Sequence, residues 1–225
     1  MKHLAIILDG NRRWARSRGL PPWEGHREGV KILRGIAEAC FERGIEILTV
    51  FAFSTENWKR AEKEVAMLMS LFYDAMTKEL DNYMEQGIRV RVIGRREGLS
   101  EKLQKAVANM EEATKGNTKG QLNMCINYGG RAEIVDAVKL MMREGVAEDE
   151  IDEELISSKI WMAGIPDPDL IIRTSGEQRL SGFLSWSGAY SEIYFLEKHW
   201  PDFTSADIDA AIESYENRDR RFGGG

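Results

Sequence analysis

The sequence predicts an α/β fold: one domain over residues 1–225, built on a central, mostly parallel six-stranded sheet flanked by helices. Three observations carry this. Six short apolar runs read as strands and alternate with longer stretches whose apolar residues recur at helical spacing. The strand-like runs are apolar almost throughout, as strands covered on both faces are. No linker-like stretch interrupts the chain, and an apolar content of 43% is enough for one continuous core.

The elements follow in order. The first strand, 3–8, ends in Asp9-Gly10-Asn11. A helical pattern over 28–43 carries Val30, Leu33, Ile36, Ala37, Cys40 and Phe41, and Gly44 stops it. The second strand, 46–53, runs into Ser54-Thr55-Glu56-Asn57. A long helix is expected over 61–86, with Val65, Leu68, Met69, Phe72, Met76, Leu80 and Tyr83 on one side. Strands at 88–93 and 121–127 alternate with helices at 99–114 and 131–144. Short strands at 170–173 and 193–195 precede a last helix over 205–216, introduced by the cap-like Thr204-Ser205-Ala206-Asp207.

Composition excludes several classes. A net charge of −6 argues against a surface that coats nucleic acid. Cys40 and Cys125 sit in apolar surroundings and read as small buried hydrophobes of a reducing compartment. With His3, His26 and His199 as the histidines, a zinc site is not expected. The strand starting at residue 3 leaves no room for a signal peptide, and no apolar segment approaches the ~18 residues of a membrane span. A soluble, cytoplasmic protein is expected, at most peripheral at a membrane.

In parallel sheets ligands bind beyond the carboxyl ends of the strands. Here the polar clusters follow strand ends: Asp9-Gly10-Asn11, Ser54 to Asn57, and Arg173-Thr174-Ser175-Gly176. Arg12, Arg13, Arg16 and Arg18 crowd the first loop, and Arg173 and Arg179 the last. Arginine grips phosphate oxygens in a two-pronged fashion, and a carboxylate among cations stays ionised. An ionised aspartate suits Mg2+, which takes one or two carboxylates plus substrate phosphates. Asp, Arg and Mg2+ together are the chemistry of a diphosphate. From the residues alone, a second reading stays open: the arginines form a solvated helix face, most simply for Arg16 and Arg18.

Other phosphate motifs are absent. There is no GxGxxG or GxxxxGKS, and a haloacid-type phosphatase needs a second Asp where Asn11 stands. His26, between Gly25 and Arg27, reads as an exposed polar turn. Trp58 and Trp186 read as packed aromatics, and the Met-rich side of 61–86 as core or as an adaptable wall for an apolar ligand.

The segments "ILDGNRRWA", "GHREGV", "FAFSTENWKR", "RTSGEQRLS" and "WSGAYSEIYF" resemble, in order and spacing, the signatures of cis-prenyltransferases, the family of undecaprenyl diphosphate synthase. The resemblance runs from His3 to the terminal "RDRRFG". It implies a homodimer, a parallel sheet with a hydrophobic tunnel, and Mg2+-dependent condensation of isopentenyl diphosphate onto an allylic diphosphate such as farnesyl diphosphate. A long cis-polyprenyl product that partitions to the membrane is expected, and Ala52 fits an open tunnel. A short- or medium-chain product, or a silent partner subunit, are the alternatives.

By the same resemblance, Asp9 would hold Mg2+ and the allylic diphosphate, cradled by Gly10, Asn11, Arg12 and Arg13, with Trp14 beside them. His26 would lie near the leaving group and Arg60 would contact phosphate. Ser54 and Asn57 would position the condensing partner and handle its proton, within a segment that includes Thr55, Glu56 and Trp58. Arg173, Arg179 and Ser181 would bind isopentenyl diphosphate, Glu192 would join the metal, and Arg221 would reach across the dimer in an Arg-x-Gly ending. The chain departs from the pattern at Pro22, a usual arginine position that Arg16 or Arg27 could serve, and at Arg12, Ala61, Gly182, Ser185 and Ser187.

Overall fold

A computed structural model describes residues 1–218. Its six strands are β1 (His3–Ile7), β2 (Ile47–Ser54), β3 (Ile88–Ile93), β4 (Gly120–Tyr128), β5 (Leu170–Arg173) and β6 (Glu192–Phe195). They form one sheet in the order β3-β4-β2-β1-β5-β6, and every pairing is parallel, so the sheet is wholly and not merely mostly parallel. From β1 the chain moves outward in one direction to β2 and later in the other to β5, which places the topological switch beside the end of β1.

Both faces of the sheet are buried, which explains the unbroken apolar runs. Leu4 and Ile6 of β1 enter the core beneath α2 (Pro22–Glu42), α3 (Glu62–Lys78), α5 (Glu101–Thr114) and α8 (Ser205–Glu216). Ala5 and Ile7 enter the opposite core with Cys125, Ala137 of α6 (Gly130–Glu144), Phe183 and Leu184. Both cysteines are buried and unpaired, as expected. The last helix begins as its sequence suggested, with Thr204 and Asp207 forming a capping box.

Four elements differ from the sequence reading. A short helix, α1 (Asn11–Ser17), follows Gly10 where a rim loop was expected. Helix α2 starts at Pro22 and not at residue 28. Its extra residues, 22–27, were hidden by Pro22 and Gly25, and Gly29 follows within the expected helix. These glycines are required by contact: a Cβ at Gly25 would overlap the Asn11 carbonyl oxygen, and one at Gly29 would lie 2.5 Å from Asn11 Oδ1. The long helix expected over 61–86 breaks at Glu79 (φ −96°, ψ 0°) into α3 and α4 (Leu80–Glu85). The turn buries Tyr83. A further short helix, α7 (Glu153–Lys159), was not anticipated.

At the amino ends of the strands lies a buried polar ladder. His3 Nδ1 is 2.6 Å from the Pro166 carbonyl and its Nε2 is 2.7 Å from Thr49 Oγ1, which also accepts from Asn123 Nδ2 at 2.9 Å. A carbonyl can only accept, so neutral His3 carries its proton on Nδ1 and Thr49 donates to Nε2. Burial holds the His3 pKa below its ordinary value.

Candidate active site

The carboxyl ends of β1, β2, β4 and β5 surround a cavity of about 870 Å³. Its rim is polar: Asp9, Gly10, Asn11, Arg12, Arg13, Arg16, His26, Ser54, Glu56, Asn57, Arg60, Arg173 and Ser181 all line it. Its floor is apolar, made by Ile7, Leu8, Phe51, Ala52 and Phe53. Three consecutive residues of one strand can face one space because the β2–β4 register shifts between Phe51 and Phe53 and again before Ser54. No residue of α3 lines the cavity. Leu68, Phe72 and Met76 of α3 are packed in the core behind the floor.

Asp9 is the centre of the charge. Its Oδ2 accepts from Arg173 Nη2 at 2.8 Å, and its Oδ1 accepts from the Gly10 N–H at 2.7 Å and lies 3.2 Å from Arg13 Nη2. Partial burial pushes the carboxyl pKa up, but the hydrogen bond and charge of Arg173, with the charge of Arg13, hold it below the ordinary value. Arg173 is buried, because β5 places it opposite Ile7 of β1. Its Nη1 donates to Ser181 Oγ (2.9 Å) and to the Arg179 carbonyl. Arg13 Nη1 is also 3.0 Å from Glu177 Oε1.

His26 is corrected by the structure. It stands on α2, not on an exposed turn, with its side chain 12% exposed and facing the cavity. Burial, followed by the charge of Arg60, lowers its pKa to about 4, so the imidazole is neutral at pH 7. Its Nε2 is 3.7 Å from Glu64 Oε1, beyond hydrogen-bond reach, and is buried without a partner. Glu64 also meets Arg60 (3.1 Å) and Arg12 (3.8 Å), so one carboxylate ties α1, α2 and α3 together. An acid in the first turn of a helix is so ordinary that nothing in its sequence context singles it out.

Ser54 and Asn57 sit at the rim, flanking the start of the 3-10 turn Thr55–Lys59. The Ser54 N–H donates to Asn57 Oδ1 at 3.1 Å. The Ser54 hydroxyl caps no amide of the turn, and its O–H can donate.

Other expected site residues lie elsewhere. Trp14 Nε1 donates to Asp202 at 2.7 Å, and Arg18 stacks 4.2 Å over the Trp14 ring while pairing with the same carboxylate. Arg18 is thus the solvated residue it was taken for, whereas Arg16 lines the cavity. Trp58 packs edge-on against Phe53 and donates to Asn127 Oδ1 at 2.7 Å. Thr55 and Arg179 are not in the lining, Arg179 pairing with Glu177. Pro22 is the first residue of α2, away from the cavity, and Arg27 pairs with Glu24. Glu192 starts β6 opposite Leu170, at the amino end of the sheet, and pairs with Arg218. Asp9 follows the opposite end of β1, so within the chain the two carboxylates do not meet. Arg221 lies outside the described residues.

The sequence reading passed over Gly129, Gly130, Arg131 and Ala132, the start of α6, which line the cavity beside Gly182. The Gly130 N–H donates to the Gly182 carbonyl at 2.8 Å, and a Cβ on Gly130 would lie 2.5 Å from Ser185 Oγ. The small residues at 182 and 185 thus accompany a close approach of two loops. Among the described residues no three His, Cys, Asp or Glu side chains gather as a metal cage.

Comparison with known proteins bears on the family and the fold. Residues 7–223 match the family model described as "Putative undecaprenyl diphosphate synthase". The chain is 49% identical to an isoprenyl transferase of Thermotoga maritima, over 99% of this chain and 97% of that protein. It is 46% identical to a ditrans,polycis-undecaprenyl-diphosphate synthase of Legionella pneumophila, described as (2E,6E)-farnesyl-diphosphate specific, over 99% of this chain and 95% of that one. Among solved structures, lavandulyl diphosphate synthase from Lavandula x intermedia, in complex with dimethylallyl diphosphate, superposes with a TM-score of 0.94 at 36% identity, covering 99% and 98% of the two chains. A probable undecaprenyl diphosphate synthase from Campylobacter jejuni gives 0.84 at 33%, over the same shares. The chain belongs to the undecaprenyl diphosphate synthase family of isoprenyl transferases, the cis-prenyltransferases.

Proposed function

We propose that this enzyme condenses isopentenyl diphosphate onto an allylic diphosphate such as farnesyl diphosphate, and that its product is a long cis-polyprenyl diphosphate. The observation that carries this is Asp9, held ionised between Arg13 and Arg173 at the polar mouth of a cavity with an apolar floor. The cationic rim matches a diphosphate and the floor its prenyl tail.

The donor set fits Mg2+ in one way only. Asp9 is a single carboxylate, so diphosphate oxygens would complete the shell. Bound there, Mg2+ would supply charge neutralisation to the departing diphosphate. The chain's own groups do the rest. Arg13 and Arg16 take phosphate oxygens, and the first amides of α1 point donors at them. Neutral His26 binds near the leaving group without adding a fixed charge. Arg173 and Ser181 hold the isopentenyl diphosphate, while the Ser54 hydroxyl and Asn57 orient it as its proton leaves. Phe51 and Phe53 keep water from the electron-poor allylic carbon.

A homodimer is supported by Val135, Val138 and Met142, which form an exposed apolar stripe on the α6 face opposite Ala137 and Met141. No helix of the described residues is long and apolar enough to cross a membrane, so the lipid product would be met from the surface.

A second reading is the same chemistry with a short product, since no residue of α3 lines the cavity. One experiment tests both. Purified protein is incubated with farnesyl diphosphate, isopentenyl diphosphate and Mg2+, and the products are resolved by chain length. Long products are expected; products of three or four units would replace the first reading by the second, and no elongation would sink both.

A further inference from the structure

The segment from Lys198 to Trp200 lies outside the cavity lining, yet it is bonded to several parts of the rim. The Trp200 N–H donates to the Asp9 carbonyl at 2.9 Å, and its indole Nε1 donates to the Gly29 carbonyl of α2 at 2.9 Å. The Lys198 carbonyl accepts from the Ser175 N–H at 2.9 Å. His199 adds a side-chain tie, its Nδ1 standing 2.7 Å from Ser175 Oγ.

This pair lies directly against Gly10. A Cβ there would fall 2.7 Å from Ser175 Oγ and 2.8 Å from His199 Nδ1, so the Gly10 turn (φ +100°) is shaped around the two side chains. Ser175 itself holds a left-handed φ of +78°, which a serine adopts only when its surroundings fix it. Its carbonyl is one of the groups that Arg13 Nη1 donates to, at 3.2 Å. The path is therefore short: His199 fixes Ser175, Ser175 fixes Arg13, and both side chains support the turn from which α1 starts.

We propose that His199 is a positioning residue of the diphosphate site, its Nδ1 anchoring Ser175 beneath Gly10 so that the Gly10 turn and Arg13 keep their places at the cavity. The proposal rests on the diphosphate reading given above. His199 touches no substrate in this assignment and acts through Ser175 and the Gly10 turn.

The test uses inorganic diphosphate with Mg2+ as the probe, its affinity measured by calorimetry. Steady-state kinetics and thermal unfolding accompany it, for wild type, His199→Ala, His199→Asn and His199→Gln. Asparagine places an amide near the position of Nδ1; glutamine reaches past it. His199→Ala should weaken diphosphate binding and raise the KM for the allylic diphosphate by about tenfold, the scale of one lost hydrogen bond to a charge-bearing site, with kcat within about twofold. His199→Asn should recover to within about threefold, and His199→Gln should not. A His199→Ala protein that melts lower but binds diphosphate like wild type would overturn the proposal. So would Asn and Gln variants that behave alike, a comparison that decides the matter if the alanine variant does not fold. Wild-type protein that binds diphosphate without elongating a prenyl chain would sink the function proposed above and leave this test intact.

Discussion

Two polar regions lie at opposite ends of one sheet, and they are built on opposite plans. At the amino ends, His3, Thr49 and Asn123 form a neutral ladder in which each side chain has a protein partner. At the carboxyl ends, Asp9, Arg13, Arg173 and Arg60 are charged, and Asn11 Oδ1, His26 Nε2 and Arg173 Nε are buried without partners. A buried polar atom left unpaired is costly, so it persists where a ligand completes it or where strain is part of the design. The first region is finished by folding; the second is finished by binding.

The sharpest test of that contrast is Asp9→Asn, which keeps the shape and removes the charge. Elongation should fall by about 100-fold or more, the scale seen when one preorganised electrostatic group is lost, with the far-ultraviolet spectrum unchanged. Near-normal turnover would take Asp9 out of the site.

Acid should reach both regions. The folded pKa values of His3 and His26 lie below the ordinary 6.5, that of His26 at about 4. The unfolded chain therefore binds more protons than the folded one in this range. Stability is fully present above about pH 6.5 and is lost as pH falls toward 4, each group adding a slope of up to about 1.4 kcal/mol per unit. Denaturant midpoints measured from pH 7 to pH 4 should decline, and a flat profile would contradict neutral burial of both imidazoles.

Thr49→Val separates the regions. It removes the link between His3 and Asn123 and should cost about 2 kcal/mol of stability while leaving kcat and KM within about twofold. A large kinetic effect would mean that the ladder is part of the working site.

The smallest effect distinguishes neighbours. Arg16→Ala should raise the KM for the allylic diphosphate about fivefold, one exposed cation's worth, and Arg18→Ala should not change it. Equal effects would return Arg16 to the solvated face.

What the sequence made legible follows from the same contrast. Asp9, Arg13 and Arg173 could be found because each stands beside the end of an apolar strand, where a parallel sheet opens. The parallel order itself followed from strands apolar on both faces. His26 was misplaced because Gly25 and Arg27 beside it look like a polar turn, and only the contact with the Asn11 main chain reveals why a helix carries Gly25. Glu192 and Asp9 were paired by resemblance, but the long return between β5 and β6 carries Glu192 back to the amino end of the sheet. Distance through the fold leaves no local trace in such a segment. Glu64 and the start of α6 were missed for a related reason: their neighbours come from α1, α2 and the loop at Gly182.

The glycines of α2 have a consequence beyond explaining a misread boundary. Each lowers the intrinsic helicity of α2 by about 1 kcal/mol relative to alanine. In return, at Gly25 the separation between the helix that carries Arg12, Arg13 and Arg16 and the one that carries His26 is gauged by main chain against main chain. A gauge of that kind does not depend on which side chains surround it. Relatives could exchange charges or resize the apolar floor without shifting the mouth, so the chemistry of this family can stay constant while what it accepts changes.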